Sequence, residues 1–181
     1  MKMKFVQLLA LLGVMMGSAF GADVDLKKSS LKWQGTKVTG KHYGKIFFKK
    51  ADVTMKDGKL SGGEFVVDMS SFTVDDLSGE WETKFMNHIK SDDFFNVKKY
   101  PTSSLKIKSV KGNEVTADLT IKDKTNEVKF DIKKDGKAYS GTLVFDRTKF
   151  GMIYGSGDFF KGLGDKMIHN EVKVDFKFVV K

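Results

Sequence analysis

The sequence predicts an all-β protein built from antiparallel hairpins. Three observations lead there. Short runs alternate apolar and polar residues with period two, as in Val115, Ala117, Leu119 and Ile121. Turn signals separate these runs at short spacing: Asp57-Gly58, Lys111-Gly112-Asn113 and Asp135-Gly136. One stretch, Trp81 to Ile107, breaks the pattern and contains the single proline, Pro101.

In chain order, Leu31 and Trp33 open the first run, and Gly35 and Gly40 interrupt its continuation. Tyr43 to Met55 is a second extended run, with Ile46, Phe48, Val53 and Met55 as its apolar positions. Phe65, Val67 and Met69 share one face of a third. Ser70 to Gly79 is polar and reads as a loop. Glu80 to Lys90 fits a short helix, because Trp81, Phe85 and Ile89 recur every four residues. Ser91 with Asp92 and Asp93 would close that helix or satisfy backbone donors at a turn. Tyr100-Pro101 enforces extended backbone and marks re-entry into sheet.

The second half is more regular. Leu105 and Ile107, then Val115 to Ile121, then Val128, Phe130 and Ile132, then Tyr139 to Phe145 each read as strands. A glycine-rich loop from Gly151 to Gly164 leads to the last, where Val172, Val174, Phe176, Phe178 and Val180 share one face. Repeated tight hairpins of this kind make a sandwich or a barrel, and closing the barrel removes edge strands.

The N-terminus carries a targeting signal. Lys2 and Lys4 precede an apolar run from Phe5 to Met16, and Ala19-Phe20-Gly21 supplies small residues for cleavage. Residues 1–21 are read as a signal peptide and residues 22–181 as one domain, exported to the periplasm or secreted. The apolar run is short for a membrane span, and with no cysteine in the chain a lipid-anchored cysteine, a disulfide and a thiolate metal site are excluded.

Formal charge is +9, and removing Lys2 and Lys4 leaves +7. The lysines are spread along the strands and read as a solvated exterior, so no nucleic-acid partner is expected. A basic balance of this kind allows transient contact with an anionic membrane surface. A dimer is compatible with the sequence. An outer-membrane barrel would show the same alternation, but clear aromatic girdles are missing. No Gly-x-Ser-x-Gly elbow, HExxH pattern or phosphate loop occurs, so no catalytic residue and no cofactor is assigned.

Several stretches together carry a resemblance. They are Trp33 to Gly40 with His42, Gly63 to Met69, His88-Ile89-Lys90-Ser91-Asp92-Asp93-Phe94-Phe95, Lys99 to Thr102, Asp118 to Lys122 and Asp146 to Gly151. In this order and spacing the chain resembles the YceI-like family of bacterial periplasmic lipid- or polyisoprenoid-binding proteins. The resemblance implies an antiparallel eight-stranded lipocalin-like barrel, with a short helical segment near residues 80–95, holding a long isoprenoid or other amphiphile. Two departures stand out. Asp123-Lys124-Thr125-Asn126 replaces a glycine-containing turn, and the loop from Tyr154 to Met167 is long. In this the chain resembles a subgroup in which the loop is elaborate, which implies a ligand other than the isoprenoid-quinone type.

Such binding needs an apolar interior and a few polar groups at the mouth. Phe65, Val67, Leu119, Phe130, Leu143, Phe145, Val174 and Phe176 are expected to line it, or to fill a barrel that holds no ligand and serves a structural or interaction role. Phe85, Ile89, Phe94 and Phe95 are expected to plug or rim one end. Arg147, the single arginine, is expected at the mouth in a structural ion pair, with Asp146, Asp92 or a ligand phosphate as partners. His88, Asp92 and Asp93 lack a second histidine at ligand spacing, so no metal site is assigned.

Overall fold

A computed structural model describes residues 18–181. The expected signal segment therefore lies mostly outside the described residues. The described chain forms nine strands and one α-helix: β1 Ala19–Asp23, β2 Ser30–Lys37, β3 Gly40–Lys56, β4 Lys59–Asp68, α1 Gly79–Lys90, β5 Thr102–Lys111, β6 Glu114–Ile121, β7 Lys124–Asp135, β8 Ala138–Asp146 and β9 Ile168–Val179. Pairing runs β3-β2-β9-β8-β7-β6-β5-β4 and returns to β3, so the sheet closes.

Closure takes eight rows, not nine. β1 pairs with the far half of β3, from Ala19 opposite Lys56 to Asp23 opposite Asp52. β2 pairs with the near half, from Leu31 opposite Ile46 to Lys37 opposite Gly40. A 3-10 turn at Leu26–Lys28 separates them, and Val24 bridges to Val180. β1 and β2 are thus two segments of one row, and the barrel is the eight-stranded antiparallel one that the resemblance implies. The cleavage expected after Gly21 falls within β1.

Local chemistry sets the turns. Asp57 and Gly58 both have positive φ, 51° and 70°, as the tightest twisted hairpins require. Between β6 and β7 the sequence expectation is corrected. The turn is Lys122-Asp123, with Lys122 at φ 58°, and Lys124 to Asn126 already belong to β7. A lysine in left-handed backbone carries no sequence signature, so the sequence alone sets this turn too late.

β3 explains why its apolar positions change parity. Opposite β4 its register slips between Phe48 and Lys50. This bulge inserts one residue and switches the inward face, so Ile46 and Phe48 point inward on one side of it and Ala51, Val53 and Met55 on the other. Met69, expected on the face of Phe65 and Val67, instead begins a 3-10 turn after β4 but remains buried.

The predicted loop after β4 covers an open edge. Residues 71–76 run beside β3, where Phe47 N–H donates to Ser71 Oγ, Thr73 N–H to the Lys45 carbonyl and Asp75 N–H to the Tyr43 carbonyl. Those bonds complete a ladder that would otherwise expose unpaired backbone. Beyond this loop lies α1, with Glu80 and Glu82 in its first turn and His88 and Lys90 in its last, the charge order its dipole favours.

Two apolar clusters line the interior. One, around Val53, Phe65, Val115, Tyr139 and Phe178, closes the far end. The other, around Trp33, Ile46, Phe94, Phe95, Phe145 and Phe150, lies under α1. On β9, Val172, Val174 and Phe176 face inward, while Lys173, Asp175 and Lys177 are exposed. Charges on the outer face invert the apolar band of a lipid-facing barrel.

Candidate ligand-binding cavity

The barrel encloses a cavity of about 510 Å³ that extends from α1 toward the far cluster. That size falls in the range of roughly 300–1,000 Å³ typical of small-molecule sites. Its wall takes Phe65 and Val67 from β4, Leu119 from β6, Phe130 from β7, Leu143 and Phe145 from β8, and Val174 and Phe176 from β9. Phe85 and Ile89 of α1, Phe94 and Phe95 after it, and Arg147 after β8 border it at the helix end. All thirteen residues singled out from the sequence therefore meet around one space.

Others meet there too. Trp33, Phe48, Leu105, Val172 and Phe178 sit at alternating strand positions, and that alternation could have found them. Phe72 could not be found this way, because it lies in a polar, aperiodic loop and reaches the cavity only through the path of residues 71–76.

An aromatic cap closes the helix end. The Phe85 ring lies parallel to Trp33, with centroids 5.9 Å apart, and 4.8 Å from the His42 ring. Phe72 joins Trp33 to Phe95, at 5.7 and 5.0 Å. On the other side His88 packs against Phe94 at 5.0 Å and Tyr154 at 4.6 Å. Trp81, although it shares the four-residue period of Phe85 and Ile89, stays 71% exposed beyond the rim.

The polar groups depart from expectation in informative ways. Ser91 does not satisfy a backbone donor: its hydroxyl donates to the His88 carbonyl at 2.7 Å and ends the helix. Asp93 meets His88 Nε2 at 3.1 Å, and Asp92 is exposed. His42 Nδ1 lies 2.8 Å from Asp76, and His169 Nδ1 lies 2.7 Å from Thr36 Oγ1. Burial alone would raise the Asp76 carboxyl, but hydrogen bonds from Tyr43 N–H and the His42 ring hold it below the ordinary range.

Arg147 corrects the expectation most. It is 2% exposed and makes no ion pair among the described residues. Its Nε donates to the His169 carbonyl at 3.0 Å, one terminal nitrogen to the Ile168 carbonyl at 3.0 Å, and the other to the Met152 carbonyl. Asp146 is occupied instead by the Thr148 N–H and hydroxyl. Desolvation pushes the guanidinium pKa down, and the Asp146 charge only partly opposes it.

A closed barrel with an apolar interior space, capped by aromatic side chains at one end, defines the class of a single-chain β-barrel with an internal cavity. The chain belongs to the YceI-like domain family, whose model matches residues 23–180. Burkholderia cenocepacia BcnA superposes with a TM-score of 0.67 at 24% identity, over 88% of this chain and 100% of that one. A polyisoprenoid binding domain from Saccharophagus degradans gives 0.57 at 12% identity, over 88% and 98%. A UPF0312 protein of Staphylococcus aureus (strain bovine RF122 / ET3-1) is 37% identical over 79 residues, which cover 38% of this chain and 46% of that protein. The match thus spans about half the length of that curated relative.

Proposed function

We propose that the protein is an exported binding protein that holds a long isoprenoid or other lipid-like amphiphile inside its barrel and acts without catalysis, as a carrier, store or scavenger. The observation that carries this reading is the apolar cavity of about 510 Å³ bounded by aromatic and aliphatic side chains from most of the strands. A barrel serving only as scaffold gains stability by filling such space, since each unfilled void forfeits packing. An apolar chain entering it gains about 0.8 kcal/mol for each methylene taken from water. Membership of the YceI-like family supports the reading, as does the polyisoprenoid-binding description of the Saccharophagus degradans domain. Export rests on residues 1–21, with Lys2 and Lys4 ahead of an apolar run.

Organic extraction of the purified mature protein, followed by mass spectrometry, tests this. A bound apolar molecule in near-stoichiometric amount is expected. Its absence, with no rise in melting temperature on adding isoprenoids or fatty amides, favours the scaffold reading.

A further inference from the structure

We propose that the capped end of the barrel docks on an anionic phospholipid bilayer, with Trp81, Phe159 and Phe160 entering the bilayer interface. This goes beyond the binding reading above, because it concerns the outer surface of the rim and not the cavity. Three elements border the cavity at that end: the β2–β3 hairpin through Thr36 and Lys37, α1 through Phe85 and Ile89, and the loop after β8 through Tyr154 and Lys166. Each also turns large apolar side chains outward. Val38, Trp81, Tyr154, Phe159 and Phe160 are all at least 45% exposed. The turns at the opposite end, Lys56 to Lys59, Lys111 to Glu114 and Asp135 to Ala138, expose no large apolar side chain among the described residues. Phe20, the exposed ring beside them, lies ahead of the expected cleavage site. Apolar exposure gathered at one end in this way marks an interaction surface.

The aromatic pair is held outward by hydrogen-bonded backbone. Phe159 and Phe160 N–H both donate to the Ser156 carbonyl, at 3.1 and 3.0 Å, and Ser156 itself is buried. Ile168 N–H donates to the Gly155 carbonyl at 2.8 Å, which ties the loop to the start of β9. Val38 N–H donates to the Met167 carbonyl at 3.1 Å, so the hairpin and the loop form one edge. The contact of Tyr154 with His88 joins that edge to α1.

The chemistry of this rim selects the partner. Tryptophan and tyrosine settle at the headgroup level of a bilayer, where one part of the ring is apolar and the other wet. Lys84 Nζ lies 5.2 Å over the Trp81 ring, which sets a cation beside the most exposed of these side chains. Across residues 35–42, 79–90 and 151–167, six lysines stand with four carboxylates. Asp158 is occupied by the Asn170 amide at 2.6 Å, whereas Lys37, Lys161 and Lys166 make no ion pair among the described residues. A basic rim with interfacial aromatics fits an anionic lipid surface. A second copy of the chain would instead set these lysines against one another. Docking places the cavity rim against the phase in which long apolar chains dissolve.

The test uses the mature protein with vesicles of phosphatidylcholine alone and of phosphatidylcholine and phosphatidylglycerol in equal parts. Each lysine near an anionic surface contributes about fivefold, so co-sedimentation should show roughly tenfold or tighter binding to the anionic vesicles, falling as salt rises. Trp33 is buried, so a blue shift in emission on binding reports Trp81, and Trp81→Phe should bind while losing the shift. Phe159→Ser/Phe160→Ser should bind roughly tenfold more weakly, and Val144→Ser, on the barrel wall, should bind as wild type. If the double variant does not fold, Lys161→Gln/Lys166→Gln and the Trp81 shift decide the matter. No preference for anionic vesicles, or binding unchanged in the rim variants, overturns the proposal. So does a dimer that Phe159→Ser/Phe160→Ser disperses in a protein that ignores vesicles, because a second copy then covers this face. An extracted ligand without vesicle binding overturns docking and leaves the binding reading intact, and an empty barrel that still docks does the reverse.

Discussion

The indole of Trp33 lies parallel to the ring of Phe85, within 5° and with centroids 5.9 Å apart, so a residue of the barrel wall holds the helix over the cavity. The same indole donates from Nε1 to the Thr73 carbonyl at 3.0 Å. That carbonyl in turn lies where a Cβ on Gly44 would stand, 2.1 Å away. Gly44 is paired with Trp33 in the sheet, so wall, loop and helix meet at one glycine.

Gly44→Ala should therefore destabilise the protein. The clashing atoms are backbone and cannot rotate away, so a cost of about 1–3 kcal/mol is expected. At this chain length that corresponds to a fall in melting temperature of about 2–4 °C per kcal/mol. Gly40→Ala, with open space around its Cβ, should change stability by less than about 0.5 kcal/mol. Thermal melts of the two variants check this.

Asp76 should make the same region sensitive to acid. Its carboxyl is held below the ordinary range in the fold, so the unfolded chain takes up its proton first as pH falls. The stability it contributes is therefore full above the unfolded value of about 3.9 and is lost as pH drops through the lower folded value. Asp76→Ala should melt below wild type at neutral pH, and the gap should close as pH is taken below the carboxylate range. A gap that persists unchanged in acid would show that the carboxylate is not its source.

Phe94 and Phe95 are 7% and 8% exposed, whereas Asp93 lies at the surface with His88. Replacing both phenylalanines with alanine should speed release of a bound apolar probe much more than Asp93→Ala does. Stopped-flow displacement from the two folded variants measures the rates. Equal effects would remove these rings from the role of a cap.

Tyr139 offers a gain in stability. Its hydroxyl is buried with no hydrogen-bond partner among the described residues, and its ring stacks on Phe178 at 5.1 Å. An unpaired buried hydroxyl costs about 1–3 kcal/mol, so Tyr139→Phe should raise the denaturant midpoint with an unchanged slope. A lower midpoint would mean that the hydroxyl is satisfied in solution.

The fold is legible where period-two alternation is unbroken. Val172 to Val180 and Val115 to Ile121 read directly as strands, and Phe85 and Ile89 place the helix within one residue of its start. The features that escape depend on chain paths that leave no periodic trace. β3 changes its inward face through a bulge, and Lys122 takes a turn position usually marked by glycine or asparagine. Phe72 reaches the cavity from a polar loop. Arg147 borders the cavity, but its partners are not the expected carboxylates. They are backbone carbonyls, those of Ile168 and His169 lying 21 and 22 residues away, and side-chain charge says nothing about carbonyl positions.

The central claim is that the interior holds one apolar molecule. Native mass spectrometry of the mature protein, purified without organic solvent, tests it most directly. Wild type should carry a single discrete added mass, and a folded Leu119→Trp/Leu143→Trp variant that fills the cavity should carry none. A wild-type protein of bare polypeptide mass that also takes up no added isoprenoid, or an added mass unchanged in the filled variant, would contradict the account.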